Sequence, residues 1–296
     1  MSGNKRLPPW LTKPLSDPTK VRRVKETLSA FHLNTVCDEA RCPNRVDCFT
    51  RGTATFMILG DQCTRDCRFC AVRHGRPSPP DPSEPGRVAD GAAALGLRFI
   101  VLTSVTRDDL PDGGASHFVE TIRAVREALP GSGVEVLVPD FEGCEQDVGV
   151  VLSAAPDVFG HNVETVRRLY PEVRTGADYD RSLDVLRQAV RSGSARRVKS
   201  SLMVGLGETR AEIDETLLDL RGAGVEIAYI GQYLRPSDAH RPVERFVPPE
   251  EFEDIRSRAL EMGFSWVSAG PFVRSSYEAE RAVGERSCYS SEAMRP

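Results

Sequence analysis

Residues 53–70 read TATFMILGDQCTRDCRFC. A short β-branched and apolar run, Thr53–Leu59, stops at Gly60, and a cysteine-rich turn follows at once. An apolar run of that length, bounded by glycine, predicts a buried strand rather than a helix. Runs of the same kind recur at Phe99–Val105 (FIVLTSV), Val134–Val138, Asp157–His161, Val198–Val204 and Ile227–Leu234, with a seventh at Ser265–Ala269. Between them the apolar residues change to helical spacing: Phe118, Ile122, Val125 and Leu129; Leu183, Leu186 and Val190; Ile213, Leu217 and Leu220; Phe252, Ile255, Ala259 and Met262. Thr209 with Glu212 three residues on forms a capping-box signature, and Gly263 is placed to end the last helix. Strand-helix units in series predict an α/β fold with a parallel sheet and right-handed crossovers, either an open doubly wound sheet or a partial barrel. In both, the loops after the carboxyl ends of the strands build the site.

The 296 residues carry 39 Lys and Arg against 43 Asp and Glu, for a net charge of −4. With 40% hydrophobic residues the chain has material for a packed core, which excludes disorder as its main character. No apolar run is long enough for a membrane helix, and MSGNKRLPPWLTKP lacks the apolar core of an export signal. The expectation is a cytoplasmic protein with no membrane partner. Residues 1–30 are basic (Lys5, Arg6, Lys13, Lys20, Arg22, Arg23 and Lys25 against Asp17 and Glu26), as suits a solvated arm and a short helix near 18–30, or a docking surface for an acidic protein. No basic stripe interleaved with aromatics follows, so no nucleic-acid partner is expected. Arg76–Gly86 (RPSPPDPSEPG) reads as a stiff loop.

Six of the eight cysteines fall between Cys37 and Cys70. Clustered thiols in a long chain without an export signal read as metal ligands or reactive groups, not disulfides. Cys63, Cys67 and Cys70 are spaced C-x3-C-x2-C in the loop after the first strand; Cys37, Cys42 and Cys48 are spaced C-x4-C-x5-C before it. Taken alone, each triplet could serve zinc, the first with a distant ligand such as His74, or an iron-sulfur cluster. A cubane 4Fe-4S cluster ordinarily takes four cysteines, so three leave one iron open for a bound ligand. Cys144, near a helix start, and Cys288, in a polar tail, belong to neither triplet and read as ordinary free cysteines.

The C-x3-C-x2-C loop after the first strand, with Phe69 just before its third cysteine, resembles the radical S-adenosylmethionine superfamily. With both triplets the chain resembles the lipoyl synthase family, through EARCPN (39–44), TSVTRDDLPDGGA (103–115), HNVETV (161–166), LMVGLGET (202–209), QYLRPS (232–237), PVERFVPPEEF (242–252) and GPFVRSSY (270–277). Ser201 and Thr106 depart from the family's usual residues. The resemblance implies a partial (βα)6 TIM-like barrel over 53–264, an N-terminal extension over 1–52 and a C-terminal one over 265–296. It implies two 4Fe-4S clusters: one on Cys63, Cys67 and Cys70, which cleaves S-adenosylmethionine to a 5′-deoxyadenosyl radical, and an auxiliary one on Cys37, Cys42 and Cys48, sacrificed as sulfur donor. The motif Arg274-Ser275-Ser276-Tyr277 would supply the auxiliary cluster's fourth ligand, with Ser276 matching the family's serine and Ser275 adjacent. A hydroxyl holds iron less well than thiolate, which suits an iron that must be released.

By the same resemblance, Thr103 and Ser104 would bind the amino group of S-adenosylmethionine, and Asn162, Glu164, Lys199 and Glu208 its nucleoside. His161 and Arg174 suit either a site or a structural role. The implied reaction puts sulfur at C6 and C8 of an octanoyl chain on the lysine of a lipoyl carrier, a 2-oxoacid dehydrogenase E2 subunit or the glycine cleavage H protein. It needs an electron donor such as ferredoxin or flavodoxin, and an iron-sulfur carrier to rebuild the spent cluster. The competing readings are a biotin synthase-like sulfur-inserting enzyme and a non-enzymatic iron-sulfur or zinc protein.

Overall fold

A computed structural model describes residues 7–12, 18–51 and 54–284 of the chain. Cys288, Thr53 and the arm residues Lys5, Arg6, Lys13 and Asp17 lie outside the described residues. The first described α-helix is α1 (Pro18–Ala30), as the sequence predicts, followed by β1 (Asn34–Thr35) and two short helices, α2 (Val36–Glu39) and α3 (Arg45–Thr50). The next strand is β2 (Thr55–Ile58); β3 (Gln62–Cys63) and β4 (Arg73–His74) pair with each other in the cysteine loop.

From there strand and helix alternate: α4 (Glu84–Ala94), β5 (Phe99–Ser104), α5 (Ala115–Ala128), β6 (Gly133–Leu137), α6 (Glu145–Ser153) and β7 (Val158–Gly160). The series continues through α7 (Tyr170–Val173), α8 (Tyr179–Ser192), β8 (Arg197–Val204), α9 (Arg210–Gly222), β9 (Ile227–Gln232), α10 (Pro249–Glu261), β10 (Trp266–Gly270) and α11 (Arg281–Gly284). The sheet runs β1-β2-β5-β6-β7-β8-β9-β10, parallel throughout except that β1 lies antiparallel on β2. Six strand-helix units, from β2-α4 to β9-α10, thus form the partial barrel, and β10 extends its edge. No helix among the described residues is long and apolar enough to cross a membrane.

The two faces of the sheet divide by the two-residue period of a strand. Phe56, Ile58, Ile100, Leu102, Val134, Val136 and Leu202 are buried in the core with Phe118, Ile122, Leu186, Leu217 and Phe252 of the helices. Each such side chain contributes roughly 1.5–3 kcal/mol of burial. The alternate residues Thr55, Met57, Val101, Thr103, Leu137, Ser201 and Met203 line an internal cavity. The Thr209–Glu212 capping box forms as read, and opens α9.

Some local expectations need correction. The stiff loop ends before Gly86, because α4 starts at Glu84 with Pro85 in its first turn, where the missing N–H costs nothing. The seventh run is shifted by one residue to Trp266–Gly270, the sixth is trimmed to Ile227–Gln232, and Asp157–His161 is trimmed to Val158–Gly160. Cys144, read as near a helix start, is the N-cap of α6, whereas the sequence pattern did not reveal the edge strand β1.

Candidate active site: two thiol triplets on one cavity

The chain leaves β2 through an unusual backbone. Leu59 is buried at φ 68° and Gly60 follows at φ 94°, a left-handed pair that turns the chain into the cysteine loop. A leucine seldom adopts that conformation unless its surroundings enforce it. Here the Leu59 N–H donates to Glu84 Oε2 at 2.8 Å, and its carbonyl accepts from Arg107 Nη1 at 3.1 Å. Glu84 is held in turn by His117 at 2.7 Å, and Arg107 by Asp109 at 2.8 and 2.9 Å.

The loop beyond is pinned by its neighbours. Cys63 Sγ accepts the N–H groups of Arg65 (3.4 Å) and Thr106 (3.3 Å), and the Cys70 carbonyl accepts from His240 Nε2 at 2.9 Å. Between Cys63 and Cys67, Arg65 reaches Asp108 through two bonds of 2.8 and 2.9 Å, and Asp140 at 2.8 Å. Burial pushes the Cys67 thiol up to about 11 and Cys70 to about 12. Such thiols become thiolates when a metal's positive charge is beside them.

The second triplet is built by both ends of the chain. Thr35 caps α2 by accepting the Asp38 N–H at 3.2 Å, which sets Cys37 in the first turn. Cys37 is buried, which pushes its thiol up to about 12, and it accepts the N–H of Thr55. The segment after β10 returns across this region. Asn44 Nδ2 donates to the Phe272 carbonyl at 2.5 Å, Arg51 pairs with Glu278 at 2.6 Å and lies over the Tyr277 ring, and Thr55 Oγ1 donates to Ser276 Oγ at 2.9 Å.

All six cysteines line a single cavity of about 730 Å³. Phe69, Thr103, Ser104, Asn162, Glu164, Ser275 and Ser276 line it with them. The adjacent serines face different partners. Ser276 stands with Thr55 on the side of Cys37, whereas Ser275 Oγ donates to Asn162 Oδ1 at 3.0 Å, at the end of β7. Among the described residues no group of three or more His, Cys, Asp or Glu side chains is placed to hold a single metal ion.

Two candidates named for the nucleoside lie elsewhere. Lys199 is 1% exposed and spends its ammonium on Glu135 and the Ser275 carbonyl, not on the cavity. Glu208 accepts the N–H groups of Gly205 (2.5 Å) and Leu206 (2.8 Å), and so shapes the glycine loop after β8. His161 is structural: its Nδ1 donates to the Val138 carbonyl at 2.9 Å, and burial lowers its pKa to about 3, keeping the ring neutral. Arg174 lines the cavity but is anchored on the Asn162 carbonyl (2.7 Å) and Tyr170 hydroxyl (2.6 Å). The residues that sequence reading passed over are Thr55, Arg65 and Asp140, all on the cavity wall, which Arg274 of the Arg-Ser-Ser-Tyr motif also lines. Only Arg65, set between two cysteines, carried a local signal.

The donor set fits iron-sulfur chemistry and an amino-acid ligand. Each triplet presents soft sulfur donors, as Fe–S clusters require. Ser104 Oγ, at the end of β5, is buried without a hydrogen-bond partner on the cavity wall, and Glu164 beside Asn162 sits at φ 66° with burial pushing its carboxyl up. A buried unpaired hydroxyl and a carboxyl on a strained backbone, both lining the same cavity, suit a polar ligand.

The radical SAM superfamily pattern matches residues 57–220, more than half of the chain, and the sheet order agrees with that class of enzyme. The S-adenosylmethionine-bound structure of SuiB from Streptococcus suis overlays with a TM-score of 0.56 at 10% identity, over 72% of this chain and 49% of that one. The hydrogenase maturase HydG from Carboxydothermus hydrogenoformans overlays at 0.51 and 15% identity, over 77% and 64%. Lipoyl synthase of Symbiobacterium thermophilum is 54% identical over 93% of this chain and 86% of its own length, and that of Thermus thermophilus 53% identical over 94% and 87%. The chain belongs to the lipoyl synthase family.

Proposed function

We propose that this protein inserts two sulfur atoms, at C6 and C8, into an octanoyl chain carried on the lysine of a lipoyl carrier domain. The observation that carries the reading is the convergence of both thiol triplets on one cavity, with a serine hydroxyl beside the second. Unactivated C–H bonds resist acid-base chemistry, and a cluster with bound S-adenosylmethionine would supply the electron and the hydrogen-abstracting group that the side chains lack.

In this reading Cys63, Cys67 and Cys70 hold the cluster that works with S-adenosylmethionine. Ser104 and Thr103 take its amino group, and Asn162 and Glu164 orient its sugar. Cys37, Cys42, Cys48 and Ser276 hold a second cluster that donates sulfur. Residues 53–264 then form the reaction barrel, and 1–52 and 265–296 the sulfur-donating extensions. Met57, Val101, Leu137 and Met203 give the cavity an apolar lining on which an acyl chain can lie without water. The carrier is an E2 subunit or H protein in the cytoplasm, with ferredoxin or flavodoxin as reductant and an iron-sulfur carrier to restore the second cluster.

Anaerobic reconstitution, followed by an octanoylated carrier peptide, S-adenosylmethionine and reductant, tests the reading by mass spectrometry. Mono- and dithiolated peptide are expected. Cys63→Ala is expected to abolish S-adenosylmethionine cleavage, whereas Cys37→Ala keeps cleavage and loses thiolation. Tightly bound zinc with no cleavage, or equal loss in both variants with the first cluster still loaded, would refute it.

A further inference from the structure

Beneath the cavity, on the inner face of the barrel, Glu135 of β6 and Lys199 of β8 form an ion pair in which each side chain is 1% exposed. The strand between them is β7, and the residue in register with Lys199 is Gly160. A Cβ at Gly160 would lie 3.7 Å from Lys199 Cε and 3.2 Å from the Val136 carbonyl oxygen, so the lysine crosses β7 where no side chain stands in its way. Its ammonium also lies 4.9 Å from the centre of the Tyr229 ring.

A buried ion pair is a poor device for stability alone, since apolar residues of similar volume often serve as well. This one does something that an apolar pair cannot. Lys199 Nζ donates to the carbonyl of Ser275 at 2.8 Å, one residue before the hydroxyl that accepts from Thr55. Ser275 is thereby held at two points, its carbonyl by β8 and its Oγ by Asn162 after β7. Glu135 Oε2 has no partner of its own, so the carboxylate is committed to the lysine through Oε1.

We propose that Lys199, oriented by Glu135, is a positioning residue that fixes the backbone at Ser275 and so sets Ser276 against the second thiol triplet. The inference rests on the role proposed above for Ser276 and adds the part of the barrel that places it. It makes Lys199 the link between the barrel floor and the C-terminal segment.

The test uses the full chain. Lys199→Met alone strands the Glu135 charge, so the main variant is Lys199→Met/Glu135→Leu, which removes both charges. Lys199→Gln/Glu135→Gln, an uncharged pair still able to donate to the carbonyl, is the rescue. In metal-free protein, trypsin cleavage after Arg274 and Arg281 is followed by mass spectrometry. The apolar pair is expected to speed it by about ten-fold and the Gln pair to return it toward wild type, because cleavage follows the population of the opened segment. After reconstitution the apolar pair is expected to hold about one iron fewer than the wild type's about eight per chain, since three cysteines still hold a cluster whose fourth iron has lost its hydroxyl, and to keep S-adenosylmethionine cleavage. Ser276→Ala is expected to lose the same iron while keeping slow proteolysis. A folded apolar variant with wild-type proteolysis and the full iron content would overturn the proposal. Wild-type protein that loads a single cluster would instead refute the function proposed above, and the proteolysis would still decide the tether.

Discussion

Replacing Arg65 by alanine removes the charge that holds the first cysteine loop to the loops after β5 and β6. The Arg65 side chain is 7% exposed, and Asp140 is fully buried. After the change Asp140 keeps only Arg181, at 3.4 Å, among its guanidinium partners. Breaking a buried pair from one side costs about 3–5 kcal/mol, and at roughly 2–4 °C per kcal/mol for a chain of this size the melting temperature falls by about 10 °C. Burial alone would raise the Asp140 carboxyl, but the hydrogen bond and charge of Arg65 overcome it and hold the group down to about 2. Against an unfolded value of 3.8, that depression is worth about 2 kcal/mol. Its sign is that of a lowered carboxylate: the stabilisation is complete above the unfolded pKa and is lost as pH falls toward the folded one. Thermal unfolding of metal-free wild type and Arg65→Ala, followed by circular dichroism from pH 7 to pH 2, should therefore show a gap that narrows below about pH 4. Arg65→Ala/Asp140→Asn should recover part of the loss at pH 7. A gap of under about 2 °C at pH 7, or a double variant no more stable than the single one, would refute this account.

Other perturbations follow from the same geometry. In Gly231→Ala the new methyl would collide with the Val273 carbonyl, so the C-terminal segment must shift. A loss of about 1–3 kcal/mol in urea unfolding and lower iron content in the second cluster are expected. Glu84→Ala leaves the buried Leu59 N–H without an acceptor and should cost about 1–3 kcal/mol, whereas Glu84→Gln retains an acceptor oxygen and should cost less; urea titration of both decides it. Thr209→Ala removes the cap of α9 and is expected to cost about 1 kcal/mol with no change in iron content or S-adenosylmethionine cleavage.

The barrel was legible because most of its units announce themselves locally. Phe56 and Ile58, or Ile100 and Leu102, alternate along strands whose outer face packs on helices, and the change to helical spacing at Phe118 or Ile213 is visible in a dozen residues. The cysteines were legible for the same reason, since their spacing is short. What stayed hidden is contact across the chain. Lys199 sits in a strand in the manner of a cavity residue, and only the position of Glu135, 64 residues earlier, diverts it. Glu208 looked like a ligand group, yet Gly205 and Leu206 beside it absorb both its oxygens. The two adjacent serines differ only through contacts far along the chain, Ser275 with Asn162 and Ser276 with Thr55.

The bond from Asn44 to Phe272 spans 228 positions of sequence, and that from Thr55 to Ser276 spans 221. Closing so long a loop is slow relative to pairing neighbours, and it must await synthesis of Phe272 and Ser276. The loop of Cys63, Cys67 and Cys70 has its farthest anchor at His240, earlier in the chain than Phe272 and Ser276. Cys37, Cys42 and Cys48 emerge earlier, yet the segment that packs across their region, through Phe272, Ser276 and Glu278, is made more than 200 positions after them. Birth order and completion order are therefore inverted. During synthesis the earliest thiols wait longest for their enclosure, and premature metal capture or oxidation at that end of the nascent chain is the hazard built into this topology.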